Sequence, residues 1–220
     1  MGDLVPGALQ SIGKWLGLFA GAAGIEHGYF EISRGDNAPD ALGFPSMGPP
    51  CVPEQVWYAC EPAMSIIPSF LITGLLASAL GLVTIWWSLC RVDGRWSGPG
   101  LIGLSLALLL TGGGIVPPVL GMIGGAAAGL SGLAARRAGP LGGFMSFLAP
   151  AWPWTLVGFF IFLPGSVAAG LVIPGFMAGF GYYFLAGTPA LLTLAILSAW
   201  ARDWGAASAA PCAGGFDKLE

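Results

Sequence analysis

The sequence predicts an all-α, polytopic transmembrane bundle of five or six helical segments, two of which form a hairpin broken by glycine and proline. Of its 220 residues, 55% are apolar and only 9% are charged, whereas soluble domains carry about a quarter charged residues. Uncharged stretches as long as a bilayer requires follow one another along the chain. The chain is also too rich in large apolar side chains to be disordered, despite its 37 glycines and 18 prolines.

Two candidate spans occupy the first part of the chain. The first runs from about Ile12 to Ile32, and the second from about Ala63 to Cys90. The connection between them, residues 33–62, is rich in proline and is predicted to be an external loop. A spanning helix needs about 20 mostly apolar residues, and both stretches meet that requirement.

The next uncharged stretch, residues 101–133, is interrupted at its centre. The residues at the break are Gly112, Gly113, Gly114, Pro117 and Pro118. Because glycine and proline together are the strongest local helix breakers, this stretch forms either a hairpin or one long broken helix. We favour the hairpin on the distribution of charge.

The last third of the chain provides two more spans and a tail. From about Trp152 to Trp200 no charged residue occurs, and a break is expected near residues 174–181. The bundle is therefore predicted to cover residues 1–204. Residues 205–220, rich in Ala, Gly and Ser, are expected to form a flexible C-terminal tail.

Basic residues and tryptophans indicate the topology. Lys and Arg favour the cytoplasmic side of a membrane, and indole rings favour its interfaces. If residues 101–133 form a hairpin, Arg34 is the only basic residue left outside. Trp57 is then the only tryptophan on the external loop. We therefore expect a multi-pass protein of the cell membrane with both termini cytoplasmic and residues 33–62 external.

The external loop contains two cysteines, Cys51 and Cys60. Disulfides persist outside the cytoplasm, and a bridge over this short loop would stabilise the fold by about 2–4 kcal/mol. We predict a Cys51–Cys60 disulfide, with two free thiols as the alternative. Cys90 and Cys212 fall on the reducing side and are expected to be free. The cysteine spacing does not resemble a zinc site, and no cofactor is predicted.

Four ionisable residues lie near the outer ends of the first two spans: Glu26, His27, Glu31 and Glu61. His27 and Glu31 are four residues apart and share a helix face, while Glu26 points about 100° away. Three interpretations stay open. In the first, the residues line a path for a proton, an ion or a solute. In the second, His27 is a ligand of a metal or a tetrapyrrole. In the third, the groups have a structural role and hydrogen-bond to one another and to the external loop.

The glycine–proline break has two interpretations as well. Broken helices line binding sites in transporters, because their free backbone groups coordinate ions. Alternatively, the break is a tight turn between helices packed on small residues. The second helix carries Gly121, Gly125 and Gly129, a ladder that allows close helix packing. Gly24 and Gly28 on the first span are predicted to mark a helix contact.

Three segments together resemble a known group of proteins. They are Gly24-Ile-Glu-His-Gly-Tyr-Phe-Glu-Ile32, Cys60-Glu-Pro-Ala-Met64 and the glycine–proline break. The chain here resembles an uncharacterised group of small multispanning prokaryotic membrane proteins over roughly residues 20–135. The resemblance implies that the four ionisable residues belong to one pattern, and it implies no activity.

Composition and motifs narrow the classes of function. The sequence has no Walker A loop and no Gly-x-Ser-x-Gly elbow, so an enzyme is not favoured. Basic residues form no stripe for nucleic acid. The favoured hypothesis is a channel or transporter for an ion, a proton or a small solute. The alternative is a structural or assembly subunit of a larger membrane complex. A pigment- or cofactor-binding subunit is the least favoured of the hypotheses. The lipid bilayer is the predicted partner, and the sequence leaves open whether the protein forms a homo-oligomer or binds other subunits of a membrane complex.

Overall fold

The computed structural model describes residues 7–46, 62–91, 94, 96–136, 142–173 and 176–209. Within these ranges the chain is helical apart from turns and one small antiparallel sheet, which confirms the predicted fold class. In chain order the elements are α1 (Ala8–Ile32), β1 (Gly43–Pro45), β2 (Pro62–Met64), α2 (Phe70–Cys90), α3 (Ser97–Leu110), α4 (Val116–Arg136), α5 (Gly143–Leu148), a 3₁₀ turn (Ala149–Ala151), α6 (Trp152–Val172) and α7 (Phe176–Ala209).

Four segments among the described residues are long and apolar enough to cross a membrane. They are Phe70–Cys90, Val116–Ala134, Gly143–Ser166 and Gly179–Ala207. Large apolar side chains cover their outward surfaces, as in Trp154, which is 76% exposed. Such surfaces are stable in lipid, where apolar side chains need no polar cover. The chain is an integral membrane protein.

Helix α1 was the first predicted span, but it is not among these four segments. It is long enough, with 25 residues, yet it carries Lys14, Glu26, His27 and Glu31. It packs along both α2 and α4 and also contacts α3 and α7. Its buried face joins the main core together with residues of α4, α6 and α7.

Glycines bring α1 and α2 together along their length. A Cβ atom on Gly81 would lie 2.6 Å from the carbonyl oxygen of Gly21, and one on Gly74 would lie 2.5 Å from that of Gly28. No side chain fits at these crossings without moving a backbone. Small residues allow this approach between helices in membranes. The predicted helix contact at Gly24 and Gly28 is confirmed, with Gly24 packed on Leu108 of α3.

Helices α3 and α4 form the predicted hairpin. Gly98 near the start of α3 packs against Gly125 and Gly129 of α4, and Ser105 packs against Gly121. This order of contacts is antiparallel, so the turn at residues 111–115 reverses the chain. With 14 residues, α3 measures about 21 Å. It is therefore shorter than a hydrocarbon core of about 30 Å.

The second span begins later than the sequence suggested. Helix α2 starts at Phe70 and not near Ala63, because Pro62–Met64 pair with β1 and Ser69 caps the helix. The Ser69 hydroxyl accepts a hydrogen bond from the Ile72 amide at 3.3 Å, a common helix start. Pro68, just before the cap, also disfavours helical backbone at the residue preceding it. Glu61, expected to open this helix, lies outside the described residues.

The beginning of α1 meets the end of α7. Asp203 accepts hydrogen bonds from the amides of Ala8 at 2.7 Å and Leu9 at 3.0 Å. Helix α2 runs antiparallel to α1, so Arg91 lies at this same end of the bundle, and Arg34 lies at the opposite end. Helix α7 continues into the predicted tail as far as Ala209, and residues 210–220 lie outside the described ranges.

Candidate functional site

The last turns of α1 bring two ionisable side chains into the protein interior. His27 and Glu31 are four residues apart on one face, and neither has any solvent-exposed surface. That face meets α2 and the turn of the α3–α4 hairpin, which enclose the two side chains. Ionisable residues buried inside a membrane protein are rare and usually functional.

The hairpin turn contacts both side chains through glycines. Gly112 has φ 89° and Gly114 has φ 82°, a region that other residues adopt only under strain. A Cβ on Gly112 would overlap both carboxyl oxygens of Glu31, and one on Gly114 would lie 2.5 Å from Nε2 of His27. Glycine is therefore required here both for backbone conformation and for space. The ionisable pair and the glycine break, two separate features of the sequence, form one site.

Backbone hydrogen bonds hold the turn in place. The amide of Gly112 donates to the carbonyl oxygen of Met64 at 2.9 Å, and that of Ile66 donates to Leu110 at 3.1 Å. Pro117 and Pro118, both fully buried, occupy the first turn of α4. Because proline has no N–H, these positions leave no amide donor unsatisfied at a buried helix start. Irregular backbone is tolerated at membrane depth only when it is enclosed in this way.

The connection between α1 and α2 supplies a partner of the imidazole. Nδ1 of His27 lies 2.8 Å from the hydroxyl of Ser46, which is itself fully buried just after β1. Arg34 fixes this segment, because its Nη2 donates to the carbonyl oxygens of Pro45 at 2.6 Å and Ser46 at 3.2 Å. The Arg34 guanidinium also stacks 5.0 Å from the ring centre of Phe70. The only basic residue predicted on the outer side thus positions the segment that contacts His27.

Glu31 differs from His27 in its surroundings. Among the described residues, neither of its carboxyl oxygens accepts a hydrogen bond. Its carboxyl group and the methyl group of Thr73 both lie close to Gly112, because a Cβ added there would overlap both. The hydroxyl of Thr73 pairs with that of Ser65 at 3.0 Å. A carboxylate in this position would have no hydrogen bond to offset the loss of its hydration.

The other predicted site residues fall elsewhere. Glu26 is exposed on a different face of α1, in keeping with the angle expected from the sequence. Glu61, Cys51 and Cys60 lie outside the described residues, so the predicted disulfide stays a prediction. Cys90 is free and exposed, as expected. The described part of the chain contains no group of three or more His, Cys, Asp or Glu side chains suited to a metal ion.

Sequence reasoning did not identify Ser46, Ser65, Thr73 and Arg34 as part of the site. Ser46 lies in the connection between α1 and α2, and Ser65 and Thr73 flank the start of α2. Serine and threonine at such positions are common and carry no signal of their own. Only the packing of α1, α2 and the hairpin turn brings them together.

The fold and the site together define an integral membrane protein with a buried acid–imidazole pair next to a small two-stranded sheet. No family model, curated protein or solved structure matches the chain. The functional conclusion therefore depends on the site itself.

Proposed function

We propose that this protein transports an ion, a proton or a small solute across the membrane, and that His27 and Glu31 form the site that receives it. The observation that carries the proposal is the complete burial of both side chains against the broken α3–α4 hairpin. Ionisable groups at membrane depth commonly mark ion and proton pathways. Broken helices commonly form the substrate sites of transporters.

The close packing beneath the site favours a transporter over a permanently open channel. Along α1 and α2, the glycine crossings leave no space for even one added methyl group. A substrate that enters at His27 and Glu31 therefore needs a movement of helices to reach the other side. The α3–α4 hairpin is the natural moving part, since α3 is short and its turn contacts both site residues.

The proposed orientation places the site near the outer face. Lys14, Arg91 and Arg202 belong to the end of the bundle where α1 begins and α7 ends, and that end is cytoplasmic by the preference of basic residues. The native Cys90 provides a test, because it is exposed at the same end. In a variant that keeps only this cysteine, a membrane-impermeant maleimide should label it only after permeabilisation. Labelling in intact cells would reverse the orientation.

Flux in proteoliposomes tests the transport function. Proton flux is followed with an internal pH-sensitive dye, and Na⁺ and K⁺ fluxes with isotopes, under an imposed membrane potential. We expect His27→Ala and Glu31→Gln to abolish the flux, whereas Glu26→Gln, on the exposed face of the same helix, retains it. Flux that is unchanged in both site variants would contradict the proposal.

The C-terminal part of the chain supports a second candidate, a subunit of a larger membrane complex. Helices α6 and α7 pack chiefly on each other, and large side chains project outward from them and from α5. Phe147 is 77% exposed and Tyr182 is 83% exposed. A partner subunit could cover this surface in place of lipid. Native mass spectrometry from mild detergent should then detect a stoichiometric partner, and a solitary particle would count against this role.

A further inference from the structure

Building on the proposed transport function, we propose that the ligand of this site is a proton, which the carboxyl group of Glu31 binds and releases. The proposal depends on three features of the structure. They are the contacts of the carboxyl group, the lack of a ligand set for a metal cation, and the charges that face the group.

The contacts of Glu31 suit a neutral carboxylic acid. The side chain has no exposed surface, and among the described residues no donor reaches either oxygen. A Cβ atom added to Gly112 would overlap both carboxyl oxygens and the methyl group of Thr73, so the turn packs closely on the acid. An ionised carboxylate without hydrogen bonds is costly in such surroundings, whereas the protonated form carries no net charge to desolvate.

A metal cation does not fit the same contacts. Ca²⁺ takes about 6–8 oxygen ligands, and Mg²⁺ requires near-octahedral coordination. Here the hydroxyls of Ser65 and Thr73 bond to each other and to the carbonyl oxygen of Ile67. The described residues contain no group of three or more His, Cys, Asp or Glu side chains that could hold a metal ion.

Among the described residues, two ionisable groups accompany Glu31 in this region. His27 lies one turn earlier on the same face of α1, and Arg34 follows the helix with its positive charge close enough to favour the carboxylate. Gly112 of the hairpin turn and Thr73 of α2 are uncharged, and so is Ser65 just after β2, which bonds to Thr73. On release, the O–H bond of the acid breaks and its electron pair stays on the carboxylate oxygen. The proton passes to water at the outer face, and Arg34 partly balances the new negative charge.

Infrared difference spectroscopy of the full-length protein in lipid tests this assignment directly. A protonated carboxylic acid has a C=O stretching band that is separate from the carboxylate bands and shifts to lower frequency in D₂O. At neutral pH we expect one such band from a buried acid, and we expect it to disappear as the pH is raised. Glu31→Gln should remove the band completely, whereas Glu26→Gln should leave its position and intensity unchanged.

The outcomes separate this proposal from the transport function. A band that depends on Glu31 supports the proton site even if proteoliposomes show no flux, in which case only the transport function fails. The absence of a protonated-acid band in the unmodified protein would overturn the proposal, and this result needs no variant to fold. A band that persists in Glu31→Gln would also overturn it. Calorimetric binding of Na⁺, Mg²⁺ or Ca²⁺ that is lost in Glu31→Gln and retained in Glu26→Gln would replace the proton with a metal cation.

Discussion

The substitution Gly81→Ala tests the close crossing of α1 and α2. The added Cβ would lie 2.6 Å from the carbonyl oxygen of Gly21 and 2.8 Å from Cγ1 of Ile25. The first contact is with backbone, so α1 and α2 must separate to accept it. Overpacking of this kind typically costs about 1–3 kcal/mol. The higher helix propensity of alanine offsets roughly 1 kcal/mol of that, so we expect a net loss of about 0–2 kcal/mol.

Gly103→Ala is the matched control. It makes the same chemical change within α3, but an added Cβ there meets nothing within 4 Å. We therefore expect it to be neutral or to stabilise by about 0.5–1 kcal/mol. Titration of the helical circular dichroism with SDS in mixed micelles measures the free energy of unfolding of both variants. If Gly81→Ala is as stable as Gly103→Ala, the crossing is looser than described and our account of the bundle is wrong.

Three further predictions concern the ends of the bundle. Gly112→Ala should lower the free energy of unfolding by about 1–2 kcal/mol because of its positive φ, and by roughly a further 1–3 kcal/mol because the new Cβ overlaps Glu31. Gly35→Ala is the control: Gly35 has φ 71° but open space around it, so the same SDS titration should show only the first cost. Asp203→Ala should remove the carboxylate that accepts hydrogen bonds from the Ala8 and Leu9 amides, and should lower the free energy of unfolding by about 0.5–2 kcal/mol. Amide hydrogen exchange should then accelerate at Ala8 and Leu9. If Arg202→Ala, at an exposed position, accelerates exchange there equally, Asp203 does not cap α1. Ser46→Ala should cost about 1–3 kcal/mol through the lost contact with His27. It should also shift the ¹⁵N resonances of the imidazole, whereas Ser33→Ala, on an exposed hydroxyl, should leave them unchanged.

Much of the architecture could be predicted from the sequence because it depends on local pattern. The sparse charge and the long apolar stretches identified a membrane bundle, since a bilayer sets the length of its helices. The run from Gly112 to Pro118 marked the hairpin turn, because these residue types disfavour helix wherever they occur together. The angle between Glu26 and His27 also followed from helix periodicity alone. In the structure the Glu26 side chain is exposed on the surface of the protein and the His27 side chain is buried.

The start of α2 was placed too early for a physical reason. Ala63 and its neighbours are apolar enough to continue a helix, so hydropathy alone does not end the span there. The pairing of Pro62–Met64 with β1 and the cap at Ser69 decide the boundary. The first of these is a contact between distant segments, which no local pattern encodes.

The sequence by itself determined that this chain resides in a membrane, where its helices turn, and that Glu31 and His27 share one helix face. Only the tertiary structure decided that this face meets Gly112 and Gly114 and that Ser46 reaches the imidazole. The reason is that apolar length and helix period are properties of neighbouring residues. The enclosure of a carboxyl group depends on backbones that approach from separate parts of the chain.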